Sequence, residues 1–507
     1  MLGHNTVRDD VLVMLLEDDR TQLEGCAAQE ARDRITYKMR IVQRYLSDLR
    51  TEYNSTLAVN ALPTEILVEI LKLASISDYC RPRASARKMD VCRHWRDVIK
   101  DTPVLWTEIR LFEGRKCLDL CLLRSKGAGL SISLPEHTDL AERLSQPAGA
   151  RVDFSTIIPL LIPHHLRIKS INIYLREGPR EIHTDSFWQL LDVSLPALVV
   201  LALGVEHGSS LKWTPNHLPS LQSLSLTSVT PDWTKLPFSQ LTSLRLSYIR
   251  FPNGSRFASL LDLLEACVSL EVVAYDGLRD RSTPHVATHI VPLPRMRSFH
   301  LTGTHAGISG LLARISLPRH AHLSLLPSQF FGAQGSLRTV LNNSLPRDTR
   351  HLPAVHEARH VLVWLDTYEE AFDVDLTIYA DVERTEFWES QPWQSPHYEI
   401  RGIHHTVRGN APPDDLSMPS LRVAFRISQW EDNSPERGLQ RVVRDLSSLF
   451  PASVETLVLR GLTNRVDVET WRRMMASFPN IRQLQIIGHA CDIRKATFAS
   501  NLSNPGI

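Results

Sequence analysis

The stretch Leu218-Pro219-Ser220-Leu221-Gln222-Ser223-Leu224-Ser225-Leu226 sets the pattern for most of this chain. It opens with a Leu-Pro pair and then places leucines three and two residues apart, at Leu221, Leu224 and Leu226. Side chains two residues apart on a strand point to the same face. The stretch therefore predicts a short strand whose leucines are buried.

The same phrase recurs along the chain at intervals of about 20 to 30 residues, with helical apolar spacing in between, for example at 257–264 and 442–449. Its first apolar position falls at Leu198, Leu221, Leu241, Leu270, Met296 and His320, and later at Val454 and Ile481. This arrangement resembles leucine-rich repeats. The resemblance implies an α/β fold in which stacked strand–helix units form a parallel sheet lined by helices, an irregular solenoid curved into a horseshoe.

The repeat pattern degrades between residues 327 and 419. Strands are predicted at 361–364 and 374–378, and loops at 391–397 and 409–414. The stretch 418–423 fits a repeat in either of two registers. We therefore expect irregular repeats with long loops here.

Polar residues alternate with the leucines and would line the concave face of such a sheet. They are small, polar and of mixed charge, which suits a protein-binding surface without naming its ligand. The candidate substrate-binding residues are Gln222, Ser223, Ser225, Arg245, Ser247, Asp276 and His300, with Thr227, Ser243, Ser298 and Thr302 beside them. The long loops of 327–419 are an equally good docking candidate.

A second organising stretch runs from Leu62 to Trp106 in three blocks. Residues 62–73 predict a short amphipathic helix with Pro63 at its first position, and residues 91–99 predict another helix. A short apolar segment follows at 104–106. About 45 residues lie near the lower limit for independent folding, and these expose more apolar surface than they can bury. A partner should cover the surplus.

The three blocks, Leu-Pro-Thr-Glu-Ile-Leu, Val-Cys-Arg-His-Trp-Arg and Leu-Trp, resemble the F-box proteins, and residues 101–106 resemble the fungal type of that family. The segment 75–88 departs from the family pattern, because it is longer and more polar than the corresponding segment in F-box proteins. It resembles an inserted loop. The resemblance implies a helical Skp-type adaptor as partner and, through it, a cullin. The residues implied to contact the adaptor are Leu62, Pro63, Ile66, Leu67, Ile70, Val91, Trp95, Leu105 and Trp106.

The resulting domain division is an N-terminal helical segment at 1–58, an F-box at 59–110 and a repeat domain at 111–507. In the first segment a narrow apolar seam steps by four and three residues through Ile35, Met39, Val42, Leu46, Leu49 and Tyr53. It is shorter than the three to four heptads that predict a coiled coil. We expect it to pack against later helices of the chain, with a short coiled coil or partner capture as alternatives.

Composition narrows the function class. Lys and Arg number 57 against 56 Asp and Glu, a net charge of +1, which argues against nucleic acid or anionic membranes as partners. The 7 cysteines are scattered, as in a reducing compartment. The sequence shows no secretory signal and no membrane-length apolar run. An intracellular protein, in cytoplasm or nucleus, is therefore expected.

The sequence offers no catalytic motif: no phosphate-binding glycine loop, no nucleophile elbow and no His-Glu-x-x-His. The pairs His164-His165 and His404-His405 lack ligand partners at fitting spacing. We expect no cofactor, no metal and no catalysis by this chain. The basic residues of 81–88 suit a solvated loop better than a nuclear-import signal.

Together these features predict a substrate-recognition subunit of an SCF-type cullin ubiquitin ligase, which binds the adaptor through the F-box and a target protein through the repeats. Such a receptor raises the reaction rate by proximity. The alternatives are an adaptor-binding scaffold outside ubiquitination and a free leucine-rich binding protein. An unrecognised enzyme has no supporting constellation.

Overall fold

The computed structural model of the chain describes residues 21, 27–76, 88–134, 154–175, 184–205, 211–213, 218–233, 238–249, 256–278, 289–327, 344–367, 374–390, 419–427, 438–461 and 466–487. The chain divides into two compact units. The first comprises Met1–Thr107 and Asp119–Ala128, and the second Glu108–Leu118 and Gly129–Ile507. Each unit is described by itself.

The first unit is helical. Its elements are α1 (Ala28–Ser55), a 3₁₀ turn (Ala58–Ala61), α2 (Thr64–Ile76), α3 (Arg93–Asp101), a second 3₁₀ turn (Pro103–Trp106) and the end of α4 (Arg115–Arg124). Helix α2 packs against α3 and against the second 3₁₀ turn. The buried side chains of this unit include Leu67, Val68, Leu71, Val98, Ile99 and Trp106.

Helix α1 leaves its apolar seam exposed. None of its residues is buried, and all six seam side chains, from Ile35 to Tyr53, are exposed. The expectation that the seam packs against later helices is therefore wrong for the described residues. The reason is visible in the composition of α1, whose polar and charged majority leaves only a narrow apolar stripe.

The second unit alternates strands with helices. Its strands are β1 (Glu108–Arg110), β2 (Leu130–Leu134), β3 (Ile168–Leu175), β4 (Val200–Val205), β5 (Leu211–Trp213), β6 (Ser223–Thr227), β7 (Val229–Pro231), β8 (Ser243–Ser247), β9 (Val272–Leu278), β10 (Val291–Pro292), β11 (Ser298–Gly303), β12 (Ile315–Ser316), β13 (His322–Pro327), β14 (His360–Thr367), β15 (Val374–Asp381), β16 (Leu421–Ile427), β17 (Thr456–Arg460) and β18 (Gln483–Ile487). Its helices are α5 (Phe154–Leu161), α6 (Thr184–Asp192), α7 (Arg256–Ala266), α8 (His305–Leu312), α9 (Pro353–His356), α10 (Glu386–Ser390), α11 (Gly438–Leu449) and α12 (Val468–Ser477).

Fourteen of the described strands form one sheet in the order β1-β2-β3-β4-β6-β8-β9-β11-β13-β16-β15-β14-β17-β18. Most neighbours are parallel, as the alternation of strand and helix predicts. The buried side chains align across the strands in one row: Leu201, Leu224, Leu244, Val273, Phe299, Leu323 and Leu421. The prediction that the alternating leucines are core residues is confirmed.

The Leu-Pro pairs form tight turns. The amides of Leu198, Leu221 and Met296 donate to the carbonyl oxygens three residues earlier, at 3.1, 3.3 and 3.1 Å. Proline at the second turn position has its φ preset and needs no hydrogen-bond partner for a missing N–H. Each turn brings the chain into the following strand.

One turn is displaced by a residue. The amide of Ala321 donates to the Pro318 carbonyl at 3.1 Å, so Ala321 is buried and His320 is exposed. The assignment of His320 to the first apolar position is wrong. The small apolar side chain takes the buried position because burying an unpaired imidazole is costly.

Strands β14, β15 and β16 of the irregular section join the sheet as an antiparallel meander. Their order in the sheet is the reverse of their order in the chain. Strand β15 is antiparallel to both β14 and β16, and β16 rather than β14 pairs with β13. The expectation of a parallel sheet lined by helices fails here, because the connection 368–373 is too short for the crossover that parallel strands need.

The predicted strands at 361–364 and 374–378 lie within β14 and β15. The register left open at 418–423 has Leu421 and Val423 buried opposite Leu323 and Leu325. The predicted loops at 391–397 and 409–414 lie outside the described residues.

The aligned apolar row should carry much of the stability of the second unit. Leu224→Ala removes a fully buried side chain and should lower the free energy of unfolding by about 2–5 kcal/mol in urea titrations of the full chain. The matched control is Leu166→Ala, because Leu166 is 65% exposed. Equal effects of the two substitutions would contradict the assigned core.

Candidate functional site

The first candidate surface is built on α2. The helix begins at Thr64, one residue later than predicted, and the Pro63 carbonyl accepts the Leu67 amide at 3.1 Å. Proline just before the helix costs no hydrogen bond because the first amides of a helix have no partner within it.

Helix α2 is apolar on two sides. Leu67 and Leu71 are buried within the unit, whereas Ile66, Ile70 and Leu73 remain 49, 37 and 66% exposed. Positions i, i+4 and i+7 lie on one face of a helix. The exposed residues therefore form one continuous aliphatic stripe, named here the α2 stripe.

Asn60 links the start of this region to α3. Its Oδ1 accepts the indole N–H of Trp95 at 2.8 Å, and its Nδ2 donates to the Asn54 carbonyl at 2.7 Å. Cys92 caps α3, because its Sγ accepts the Trp95 amide at 3.5 Å. Trp95 is half-buried and fixed in orientation.

Trp106 lies inside the unit. Its indole N–H donates to the Ile99 carbonyl at 2.6 Å, and the Arg124 guanidinium lies 4.5 Å from the ring centroid. A buried indole needs such a partner for its N–H. Trp106 therefore anchors the second 3₁₀ turn to α3.

The nine residues implied to contact the adaptor have different environments. Pro63, Ile66, Ile70 and Val91 are exposed, Leu62, Trp95 and Leu105 are half-buried, and Leu67 and Trp106 are buried. Sequence reasoning did not select Leu73 and Val104, which are also exposed. The spacing of Leu73 from Ile66 and Ile70 was the available signal. Residues 77–87 of the predicted insertion lie outside the described part.

The second candidate surface is the sheet face that carries the residues between the aligned leucines, named here the polar face. The register places the proposed substrate-binding residues in three neighbouring rows. One row holds Ser223, Ser243 and Ser298, the next holds Ser225, Arg245 and His300, and the third holds Thr227, Ser247, Asp276 and Thr302. Gln222 directly precedes β6.

The far end of the polar face is covered by a cluster that sequence reasoning missed. Phe387 and Trp388 of α10 pack in one buried cluster with Leu362, Trp364, Tyr379 and Val458 from the strands. Arg460 lies over the Trp364 ring at 4.0 Å. The small helix α10 had no periodic signal, since it has five residues. The face is therefore polar from β6 to β16 and apolar along β15, β14 and β17.

A buried carboxylate lies at the edge of this cluster. Asp381 accepts hydrogen bonds from the Val382 amide at 3.0 Å, Ser420 Oγ at 2.6 Å, Thr385 Oγ1 at 3.1 Å and Trp388 Nε1 at 3.3 Å. All four donors are neutral, and they satisfy the buried carboxylate oxygens. Asp381 thus ties α10 and the start of β16 to β15.

Two histidines lie together on the polar face, with ring centroids of His300 and His322 5.7 Å apart. His300 Nε2 and Ser298 Oγ are 2.8 Å apart, and His322 Nδ1 contacts the Pro419 carbonyl. Burial first, and then the charges of His322 and the nearby arginines, lower the pKa of His300 to about 3. Burial also lowers the pKa of His322, against the hydrogen bond to Pro419.

Within the described residues, no group of three His, Cys, Asp or Glu side chains is arranged to hold a metal ion. In the same part of the chain, no helix combines the length and apolarity needed to cross a membrane. Cys92, Cys117, Cys121 and Cys267 form no disulfide within the described part of the chain. Residues His404 and His405 lie outside the described part.

His300 should make stability depend on pH. Its folded pKa is below the unfolded value, so the unfolded chain binds the proton first and the free energy of unfolding falls as pH drops from 7 to 5, by about 1–2 kcal/mol. Urea titrations should show a smaller fall for His300→Gln. The control is exposed His320→Gln, which should retain the wild-type slope. An unchanged slope in His300→Gln would refute the assignment.

A family model described as F-box-like matches residues 59–111. This segment contains the first 3₁₀ turn from Val59 onward, α2, α3 and the second 3₁₀ turn. No curated protein matches the sequence. The chain therefore contains an F-box-like domain.

Proposed function

We propose that this protein is the substrate-recognition subunit of an SCF-type cullin ubiquitin ligase. The observation that carries the proposal is the exposed α2 stripe, Ile66, Ile70 and Leu73, within the F-box-like match. Its partner would be a helical Skp-type adaptor, and through that adaptor a cullin. An intracellular location is part of the proposal.

The α2 stripe has the chemistry of a helix-in-groove interface. Such interfaces use aliphatic anchors one helical turn apart. Fully burying one such side chain contributes about 1.5–3 kcal/mol. Three of them, with Val91 and Val104 exposed in the same unit, supply enough apolar surface for a specific contact.

The buried members of the implied adaptor set have a supporting role in this proposal. Leu67 fixes α2 to the unit from inside, and Trp106 fixes the second 3₁₀ turn to the Ile99 carbonyl. Trp95 contributes the exposed part of its ring while Asn60 holds its N–H. Exposed anchors would thus contact the adaptor on a scaffold that these residues keep rigid.

The polar face would take the target protein. Ser223, Ser225 and Ser247 are small and half-buried. Arg245 lies opposite Ser225, Asp276 lies opposite Ser247, and His300 continues the Arg245 row two strands further on. Such a surface offers hydrogen bonds to a protein partner. The chain would act by holding the target near the ubiquitin-carrying partner, so that proximity rather than acid–base catalysis raises the rate. As part of this proposal, we expect the whole sheet to belong to a curved leucine-rich solenoid.

Introducing negative charge into the α2 stripe is the cleanest test. Ile66→Glu/Ile70→Glu places two carboxylates on exposed positions, so the unit should fold while adaptor binding falls by about 100-fold or more. The measurement is co-expression of the full chain with the Skp-type adaptor, then size-exclusion chromatography and calorimetry. Wild type should elute as a stable complex.

The matched control is Ile290→Glu, an exposed isoleucine of the second unit that should leave the complex intact. Trp95→Ala and Leu62→Ala/Pro63→Ala should also abolish binding, although Trp95→Ala additionally removes the bond to Asn60. Unchanged co-purification of Ile66→Glu/Ile70→Glu would overturn the proposal. An adaptor complex that never captures a cullin would instead indicate a scaffold outside ubiquitination.

A further inference from the structure

A row of basic and small side chains crosses the polar face. The register aligns Arg245, Ala274, His300, Ser324 and Arg422 on the neighbouring strands β8, β9, β11, β13 and β16. Large side chains alternate with small ones. Adjacent strands are about 4.8 Å apart, so His300 and Arg422 lie about 10 Å apart with only the Ser324 side chain between their backbones.

Arg422 is buried, and no ion pair among the described residues includes it. It is 4% exposed, and its Nε and Nη2 atoms are both buried with no hydrogen-bond partner among the described residues. A guanidinium cannot lose its proton in a protein. An unpaired buried charge is strongly unfavourable, so a group that pairs with it would be bound with a large gain.

A carboxylate on the same sheet face is already engaged. Asp381 accepts four hydrogen bonds from neutral donors, and no ion pair among the described residues joins it to Arg422. Asp276 lies in the neighbouring row, diagonal to Arg245 and three strands from Arg422. The row therefore carries two cations, and the charge at the Arg422 end has no acidic partner in the described chain.

The two unpaired nitrogen atoms of Arg422 present hydrogen-bond donors in a defined geometry. Nε and Nη2 form the side edge of a guanidinium, whose parallel N–H bonds match the two oxygens of a carboxylate or phosphate. His300 Nδ1 is a further buried atom without a hydrogen-bond partner in the described chain, while Nε2 of the same ring is engaged with Ser298 Oγ. When Nε2 accepts a hydrogen bond from the Ser298 hydroxyl, Nδ1 carries the ring proton and becomes a third donor on the same row.

We propose that the row from Arg245 to Arg422 is an anion-binding site, in which the Nε–Nη2 edge of Arg422 and the Nδ1–H of His300 receive a carboxylate or phosphate group. Arg422 is 4% exposed, whereas His300 and Arg245 are half-buried, so the row is more accessible to solvent at its His300 and Arg245 end. The charge of Arg422 also acts on both imidazoles, which supports their proximity. The proposal deepens the proposed function, because Arg245 and His300 belong to the proposed substrate face.

The test is thermal unfolding of the full chain in chloride, succinate and phosphate buffers of equal ionic strength and pH. Wild type should show a saturable rise in melting temperature with succinate or phosphate, because a ligand that binds only the folded state stabilises it. Arg422→Lys keeps the charge and loses the paired N–H edge, so it should bind at least about tenfold more weakly. Arg297→Met, an exposed arginine just before β11, should behave as wild type.

Arg422→Met supplies a second readout. In chloride it should melt at a higher temperature than wild type, because an apolar side chain replaces an uncompensated buried charge, and it should lose the response to succinate. A wild type without anion-specific stabilisation, or an Arg422→Met variant that responds like wild type, would overturn the site. So would an Arg422→Met variant that melts much lower than wild type, since that would mean that Arg422 is already paired.

Two sources of the anion are separated by adding an acidic peptide with several Asp and Glu residues. Tighter stabilisation by the peptide than by succinate assigns the site to a carboxylate of a bound protein, and the reverse order assigns it to a free small anion. These assays need neither adaptor nor target. Their failure would therefore leave adaptor binding by the α2 stripe untouched, and loss of adaptor binding would leave the anion response untouched.

Discussion

The second unit depends on one constraint: the buried side chains of neighbouring strands must stay in register. Leu224 lies opposite Leu201 on one side and Leu244 on the other, and the same row continues to Leu323 and Leu421. A slip of one residue would turn every leucine to the opposite face and bring the serines into the core. The Leu-Pro turns before the strands help to prevent that slip, since each fixes where the strand begins. The same register also creates the polar face, because every residue between two buried leucines is aligned as well.

The periodic part of this fold was predictable and the aperiodic part was not. Leu221, Leu224 and Leu226 repeat a spacing that has one physical interpretation, and their burial follows it. The antiparallel strand β15 had no such signal, because alternation predicts a strand but not its direction or its partner. His320 shows that spacing alone can also mislead where a small apolar neighbour, Ala321, competes for the buried position.

In the F-box-like domain the blocks were evident from sequence. Which of their apolar residues face outward depended on packing, as buried Leu67 beside exposed Ile66 shows.

The two proposed surfaces differ in chemistry in a way that suits two partners. The α2 stripe is aliphatic, and its supporting residues are fixed by hydrogen bonds such as that from Trp95 to Asn60 at 2.8 Å. An interface of this kind gains affinity from buried apolar area. The polar face instead offers hydroxyls, imidazoles and arginines on a sheet that the leucine row keeps rigid. Recognition there would depend on hydrogen bonds and charge, which favour specificity. In the proposed function, the α2 stripe would bind the constant adaptor and the polar face would bind the selected target.

The central claim is that the F-box-like domain binds a Skp-type adaptor through the exposed face of α2. Hydrogen–deuterium exchange of the full chain, alone and with purified adaptor, tests it most directly. We expect exchange to slow in residues 64–76 and 91–106 when the adaptor is present, because binding buries the α2 stripe and rigidifies the elements around it. Exchange in β6 to β11 should be unchanged. A complex that leaves 64–76 unprotected, or no complex at all, would contradict the account.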